Sequence, residues 1–251
     1  MTIPTYLPYF MAAGTVAVLI AIFYGLNRAL ADAHWSAADR TRTLRVSAVI
    51  LLGWLAAAIT LSAMGIYHVT SGDRPTIQYG ILLPILIGIL MIWRSETTKR
   101  VIAAVRQQWL VGVQLYRALG AIFLILYAAG KLPGLFAWPS AVGDIAIGLS
   151  APLVGLAYAR APQKATGLVA AWNVLGILDL VDALGLGFFT APSRFALEIQ
   201  PTSDLMTVLP LVLIPVYLVP LSIVLHIASL AKLRREAGAS PHHGRVADAR
   251  A

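Results

Sequence analysis

The chain has 251 residues, of which 59% are hydrophobic and only 12% charged, and its formal charge is +8. Ordinary soluble domains are about a quarter charged, so this composition excludes a water-soluble globule and makes lipid the reference solvent. The absence of cysteine excludes disulfides, thiolate metal centres, iron–sulfur clusters and cysteine nucleophiles.

A transmembrane helix needs about 20 mostly apolar residues, at about 1.5 Å each, to cross about 30 Å of hydrocarbon. Seven stretches meet that need, near residues 6–27, 44–69, 77–93, 109–129, 140–158, 165–188 and 205–229. Their apolar runs are long and unbroken, without the alternating segments of a barrel strand. The expected fold class is therefore all-α, a polytopic transmembrane bundle of about seven helices.

The first span follows MTIPTYLPYF, which has no basic n-region, and reads as a retained helix rather than a cleaved signal. Residues 94–108 put Val101, Ile102 and Val105 on one side, with Lys99, Arg100 and Arg106 beside them. They form either an interfacial helix or an extension of the fourth span. No connection is long enough to fold by itself, so residues 1–231 are expected as one bundle. Residues 232–251, small and polar, are expected as a disordered basic tail.

Lys and Arg in the short loops set the orientation. Fifteen of them alternate onto one side of the seven crossings, and three (Arg74, Lys131 and Arg194) onto the other. The N-terminus is therefore expected outside and the C-terminus in the cytoplasm. The +8 charge becomes an orientation signal and a contact with anionic lipid headgroups. Nucleic acid is not an expected partner, because no folded basic domain exists. Trp35, Trp93 and Trp109 fall near the basic interface, and Tyr67, Tyr79, Tyr127 and Trp138 near the other.

Charged groups at membrane depth cost about 2.5–3.5 kcal/mol each on insertion scales, so each one asks for a reason. Arg117 in span four, Asp144 in span five, and Asp179 and Asp182 in span six are such groups. Helix rise puts Asp144 and Asp179 at similar depth in the outer half, with Arg117 beneath and within reach if these spans are neighbours. On span six, Trp172, Leu175, Asp179 and Asp182 fall within about 80° on a helical wheel, so that face is expected to point inward. Asn173 points elsewhere and is expected to bond a neighbour.

Two readings remain open. One is a polar cavity opening outward, lined by Asp144, Asp179, Asp182, Arg117, Gln114 and Asn173, for a small polar or cationic solute or for protons. The other is a buried ion pair with interhelical hydrogen bonds that only fix the packing. Pro84, Pro152, Pro210, Pro215 and Pro220 are hinge candidates, or static kinks. His226 reads as an interfacial side chain near the end of span seven. No metal site and no cofactor are expected.

No H-E-x-x-H, G-x-S-x-G or Walker motif occurs. Span seven has no lysine before Lys232, which disfavours a retinal Schiff base of the microbial-rhodopsin kind. The stretch QLYRALGAIFLILYAAGKLPGLFAWPSAVGDIAIGLSAP, residues 114–152, resembles a pattern in uncharacterised bacterial inner-membrane proteins of about seven helices. That pattern reads YR-x-x-G, G-x-L-P, GD and AP, with WN-x-x-G-x-x-D on span six. The resemblance implies a multi-pass protein of the bacterial cytoplasmic membrane. It implies no mechanism, but places Arg117, Asp144 and Asp179 inside the shared pattern.

The leading expectation is a secondary transporter or permease, not driven by ATP. Asp144 and Asp179 would bind ion or solute, and Arg117 would be their charge partner. The alternatives are a membrane-embedded sensor or assembly subunit, and a lipid-modifying enzyme. The last lacks a nucleophile–base or metal constellation, so a non-enzyme is favoured. A homo-oligomer is left open, since no long G-x-x-x-G face compels one.

Overall fold

A computed structural model describes residues 3–70, 74–193, 195–197 and 199–239. Among these the regular structure is helical, with no strand. In chain order the helices are α1 (Leu7–Asp32), α2 (Ala37–Ala63), α3 (Ile77–Arg94) and α4 (Glu96–Ala104). There follow α5 (Gln107–Ala128), α6 (Gly134–Arg160), α7 (Pro162–Thr190) and α8 (Val219–Ala239). A π-helical turn, Ile214–Leu218, leads into α8. Seven of the elements are long and apolar enough to cross a membrane, as the hydropathy reading expects.

Local chemistry sets the ends. Ser36 caps α2 by accepting from the Asp39 amide at 3.1 Å. Ser95 does the same for α4, accepting from the Thr98 amide at 3.2 Å. Gly130 closes α5 at φ +65°, a left-handed conformation that suits glycine. There the Lys131 amide reaches back to the Leu126 carbonyl at 2.8 Å, and the extended Pro133 leads into the next helix. Within residues 94–108, Glu96–Ala104 is a separate helix. Val105 and Arg106 are extended and break α4 from α5.

Three expected boundaries move. α2 ends at Ala63, before Met64–Val69 turn away, and α6 begins at Gly134 rather than 140. The last span runs Ile214–Gly238, whereas 205–229 was expected. Residues 232–239 are therefore helical, where the basic tail was expected to begin. Residues 240–251, with His242, His243, Arg245 and Arg250, and also Arg194, lie outside the described residues.

α8 is the central post. Within its apolar window 61% of the residues are buried, against 11% for α2 and for α3. So α5, α6 and α8 are the most buried helices, α1 and α7 follow at 28% each, and α2 and α3 present most of their surface outward. The prolines follow this division. Pro84 and Pro152 sit inside α3 and α6. Pro210 precedes the last span, Pro215 lies in the π turn, and Pro220 falls in the first turn of α8. Pro220 has no amide to give to the turn before it, so the Val216 carbonyl takes a donor from α2 instead, Trp54 Nε1 at 3.2 Å. The three prolines thus gather around the start of the last helix.

Candidate functional site

Span four changes helix type in its middle. Val113–Ala121 is 3₁₀-helical, with three residues per turn. Gln114, Arg117 and Gly120 recur at that period and stack on one side, where all three are buried. In an α-helix they would fan over about 120°. The tighter coil aims a polar line at the bundle interior.

Arg117 is 3% exposed and reaches three other helices. Its Nε donates to Asp144 Oδ1 of α6 at 2.8 Å, and its Nη2 donates to Asp179 Oδ2 of α7. Its Nη1 donates to the Gly176 carbonyl at 3.1 Å and to His226 Nε2 of α8 at 3.3 Å. Four of the five guanidinium N–H groups are thereby used.

An arginine can only donate, so His226 Nε2 must be the acceptor and Nδ1 must carry the proton. Nδ1 then donates to Asn173 Oδ1 at 2.9 Å. The Asn173 amide nitrogen is left to donate to the Val169 carbonyl and to Ser229 Oγ, both at 2.8 Å. Gln107 Nε2 donates to the same Ser229 hydroxyl at 2.5 Å. The polar contacts thus run unbroken from the two aspartates to the basic end of α5. The Trp172 ring lies 5.2 Å from the His226 ring and its Nε1 donates to Ser150 at 2.8 Å.

A second group joins α5 to α8. Gln114 Nε2 donates to the Ser222 carbonyl at 3.1 Å, and Ser222 Oγ donates back to Gln114 Oε1 at 2.9 Å. Tyr116 donates to the Leu218 carbonyl at 3.1 Å and also meets the Ser222 hydroxyl.

Small residues make this density possible. A Cβ at Gly176 would sit 2.5 Å from His226 Cε1 and Nε2. One at Gly120 would sit 2.8 Å from Asp144 Cγ, and one at Gly143 would strike the Asp179 carboxylate.

Beside the cluster lie two cavities. The larger, about 190 Å³, is walled by Phe123, Phe136, Leu180, Leu184, Met206 and Pro215, with Gln78, Ser203 and Thr207 among its few polar groups. The smaller, about 50 Å³, is bordered by Phe10, Thr15, Arg117 and Ser222. Asp144 belongs to the wall of both. Its Oδ1 is held by Arg117, but among the described residues nothing donates to Oδ2, and the side chain keeps 14% exposure. Gln78 Oε1 and Thr15 Oγ1 are buried without a partner in the same two cavities.

Arg117, Asp144, Asp179, Gln114 and Asn173 therefore come together or lie within one polar layer. Asp182 does not. It is exposed, as is Leu175, and the buried face of α7 is Val169, Trp172, Asn173, Gly176 and Leu180. The wheel reading took the two acids as the inward face. The true face centres on Gly176, so Asn173 points inward and Asp179 stands at its edge. The cavities also differ in kind from the expected one: their lining is mostly apolar, and most polar groups of the Arg117 cluster bond one another.

His226, Ser222 and Ser229 are the residues sequence reasoning missed. They recur at i, i+4 and i+7, which is one face of a helix. The signal was present. His226 seemed interfacial only because span seven was expected to end near 229. In the span Ile214–Gly238 it lies at the midpoint. Among the described residues, no group of three or more metal-ligating side chains forms.

A family described as a domain of unknown function, DUF8737, matches residues 74–234. The chain belongs to that family. The matched segment runs from α3 through most of α8 and holds every residue of the Arg117 cluster; α1 and α2 lie outside it. No curated protein and no solved structure matches the chain.

Proposed function

We propose that the protein is a membrane carrier for a small solute with an apolar body and one cationic or hydrogen-bond-donating group, and that Asp144 receives that group. The supporting observation is Asp144, which borders two apolar cavities and whose Oδ2 accepts no bond among the described residues. The unpartnered Gln78 Oε1 in the larger cavity is also an acceptor, so both groups call for a donor or a cation. Charge balance points the same way. One guanidinium faces two carboxylates, and His226 must be neutral to accept from Arg117, so the cluster lacks one positive charge. A proton or a cationic solute supplies it, which is the exchange a secondary transporter needs. The setting we propose is a bacterial cytoplasmic membrane with the N-terminus outside, on the strength of the fifteen-to-three basic asymmetry.

A second reading is that the cluster only locks helices together. It is favoured by the near saturation of Arg117. One experiment separates the two. Phenethylammonium binding is measured on purified protein in detergent, with neutral phenethyl alcohol as control. Counterflow of benzyltrimethylammonium is measured in proteoliposomes against protein-free liposomes. The carrier reading expects saturable binding of the cation, and counterflow, both falling at least tenfold in Asp144→Asn while the melting temperature holds. Equal binding of cation and alcohol, or an Asp144→Asn variant that melts early without a binding phenotype, favours the lock.

A further inference from the structure

The cleft between α2 and the α3–α4 corner, at the basic end, is not used by the cluster. It has a volume of about 540 Å³ and a lining of both polar and apolar side chains. Its lining brings Arg42, Arg100 and the hydroxyl residues Thr43, Ser47 and Thr98 together with the apolar Val46, Ile50 and Met91. Both arginines are exposed. Neither pairs with a carboxylate among the described residues; the Arg100 guanidinium lies 4.9 Å over the Trp35 ring. The acid in the cleft, Asp39, already accepts from the Ser36 hydroxyl at 2.8 Å.

Two free guanidinium groups beside an apolar slot match one kind of molecule. Arginine presents a planar fork suited to phosphate oxygens. The apolar slot faces outward from the bundle, because α2 and α3 are mostly unburied. The level is that of the headgroups: α2 carries Arg40, Arg42 and Arg45 in its first turns and turns apolar from Val46. We infer that this cleft binds one anionic phospholipid, its phosphate between Arg42 and Arg100 and an acyl chain along Val46, Ile50 and Met91.

The site is more than general attraction of a basic surface for an acidic membrane, and the test depends on that difference. Delipidated protein is titrated with phosphatidylglycerol or phosphatidylcholine, and bound lipid is counted by native mass spectrometry. The expected result is one phosphatidylglycerol retained with at least tenfold preference. Arg42→Gln with Arg100→Gln loses that preference, and Arg28→Gln with Arg160→Gln, equal in charge and at the same end, keeps it. Val46→Trp, which fills the slot without changing charge, also loses it, so the result does not hang on one variant. Equal loss in both arginine pairs reduces the effect to surface charge and overturns the proposal. So does displacement of the lipid by an equal concentration of glycerol phosphate, which has the headgroup and no tail. The outcome is independent of whether the Asp144 cavity carries a solute.

Discussion

Arg117 Nη1 donates to His226 Nε2 across 3.3 Å at the centre of the bundle, where His226 has no exposed surface. The bond fixes the imidazole as a neutral Nδ1–H tautomer and passes the order on to Asn173 and Ser229. His226→Leu removes an acceptor from Arg117 and leaves Asn173 Oδ1 unpaired. The expected loss is about 1–3 kcal/mol, the usual cost of unsatisfied buried polar groups. His226→Gln keeps one acceptor and recovers part of it. Unfolding in detergent, followed by circular dichroism, gives both values.

Arg117→Met should be among the most damaging single changes. It leaves two carboxylates facing each other across the interior without their shared cation. Breaking a buried pair from one side costs about 3–5 kcal/mol. Neutralising the acids in the same chain, as Asp144→Asn with Asp179→Asn, should restore much of that loss. A triple variant no more stable than Arg117→Met alone would show that the guanidinium acts by packing rather than charge.

Asp182→Asn is expected to change stability by no more than about 0.5 kcal/mol, since the side chain is exposed and makes none of the cluster's bonds. Asp179→Asn, one turn away, gives up an ionic partner of Arg117. A stability difference between the two variants therefore checks which acid faces inward.

What the sequence made legible, and what it did not, divides along physical lines. Seven spans were readable because bilayer thickness dictates length. The meeting of Arg117, Asp144 and Asp179 was readable because charge at membrane depth must pair. Helix phase was not: the acids of α7 were taken to mark the inward face, whereas Gly176 marks it, and a glycine has no side chain to announce contact. Nor was the 3₁₀ segment of α5 readable, because residues three apart also neighbour one another on an α-helix. His226 was misplaced by a boundary error at the end of the last span, where Lys232 looked like an exit from the membrane but is 8% exposed and bonds the Ala103 carbonyl at 2.8 Å.

Close approach at Gly176 has its own consequence. Gly176→Ala places a methyl group against the His226 ring, which cannot retreat without breaking its bonds to Arg117 and Asn173. Overpacking of this kind costs about 1–3 kcal/mol. Gly167→Ala on the same helix meets nothing within 4 Å, and should be neutral or up to about 1 kcal/mol stabilising through helix propensity. Melting temperatures of the two variants should move in opposite directions, or only the first should move.

The last helix supplies a test of how a proline is accommodated. In a regular α-helix the Val216 carbonyl would accept from residue 220, but Pro220 has no amide proton. Trp54 of α2 takes that place, its Nε1 donating to the Val216 carbonyl at 3.2 Å while its ring lies 4.5 Å from that of Tyr217. Trp54→Phe keeps an aromatic ring and loses the donor, at a cost of about 0.5–1.5 kcal/mol. In Pro220→Ala the carbonyl gains a backbone donor of its own, so Trp54→Phe should then cost less. The two substitutions thus form a double-mutant cycle with a coupling of the same order as that bond. Additive losses would mean that Trp54 holds α2 to the bundle through its ring alone.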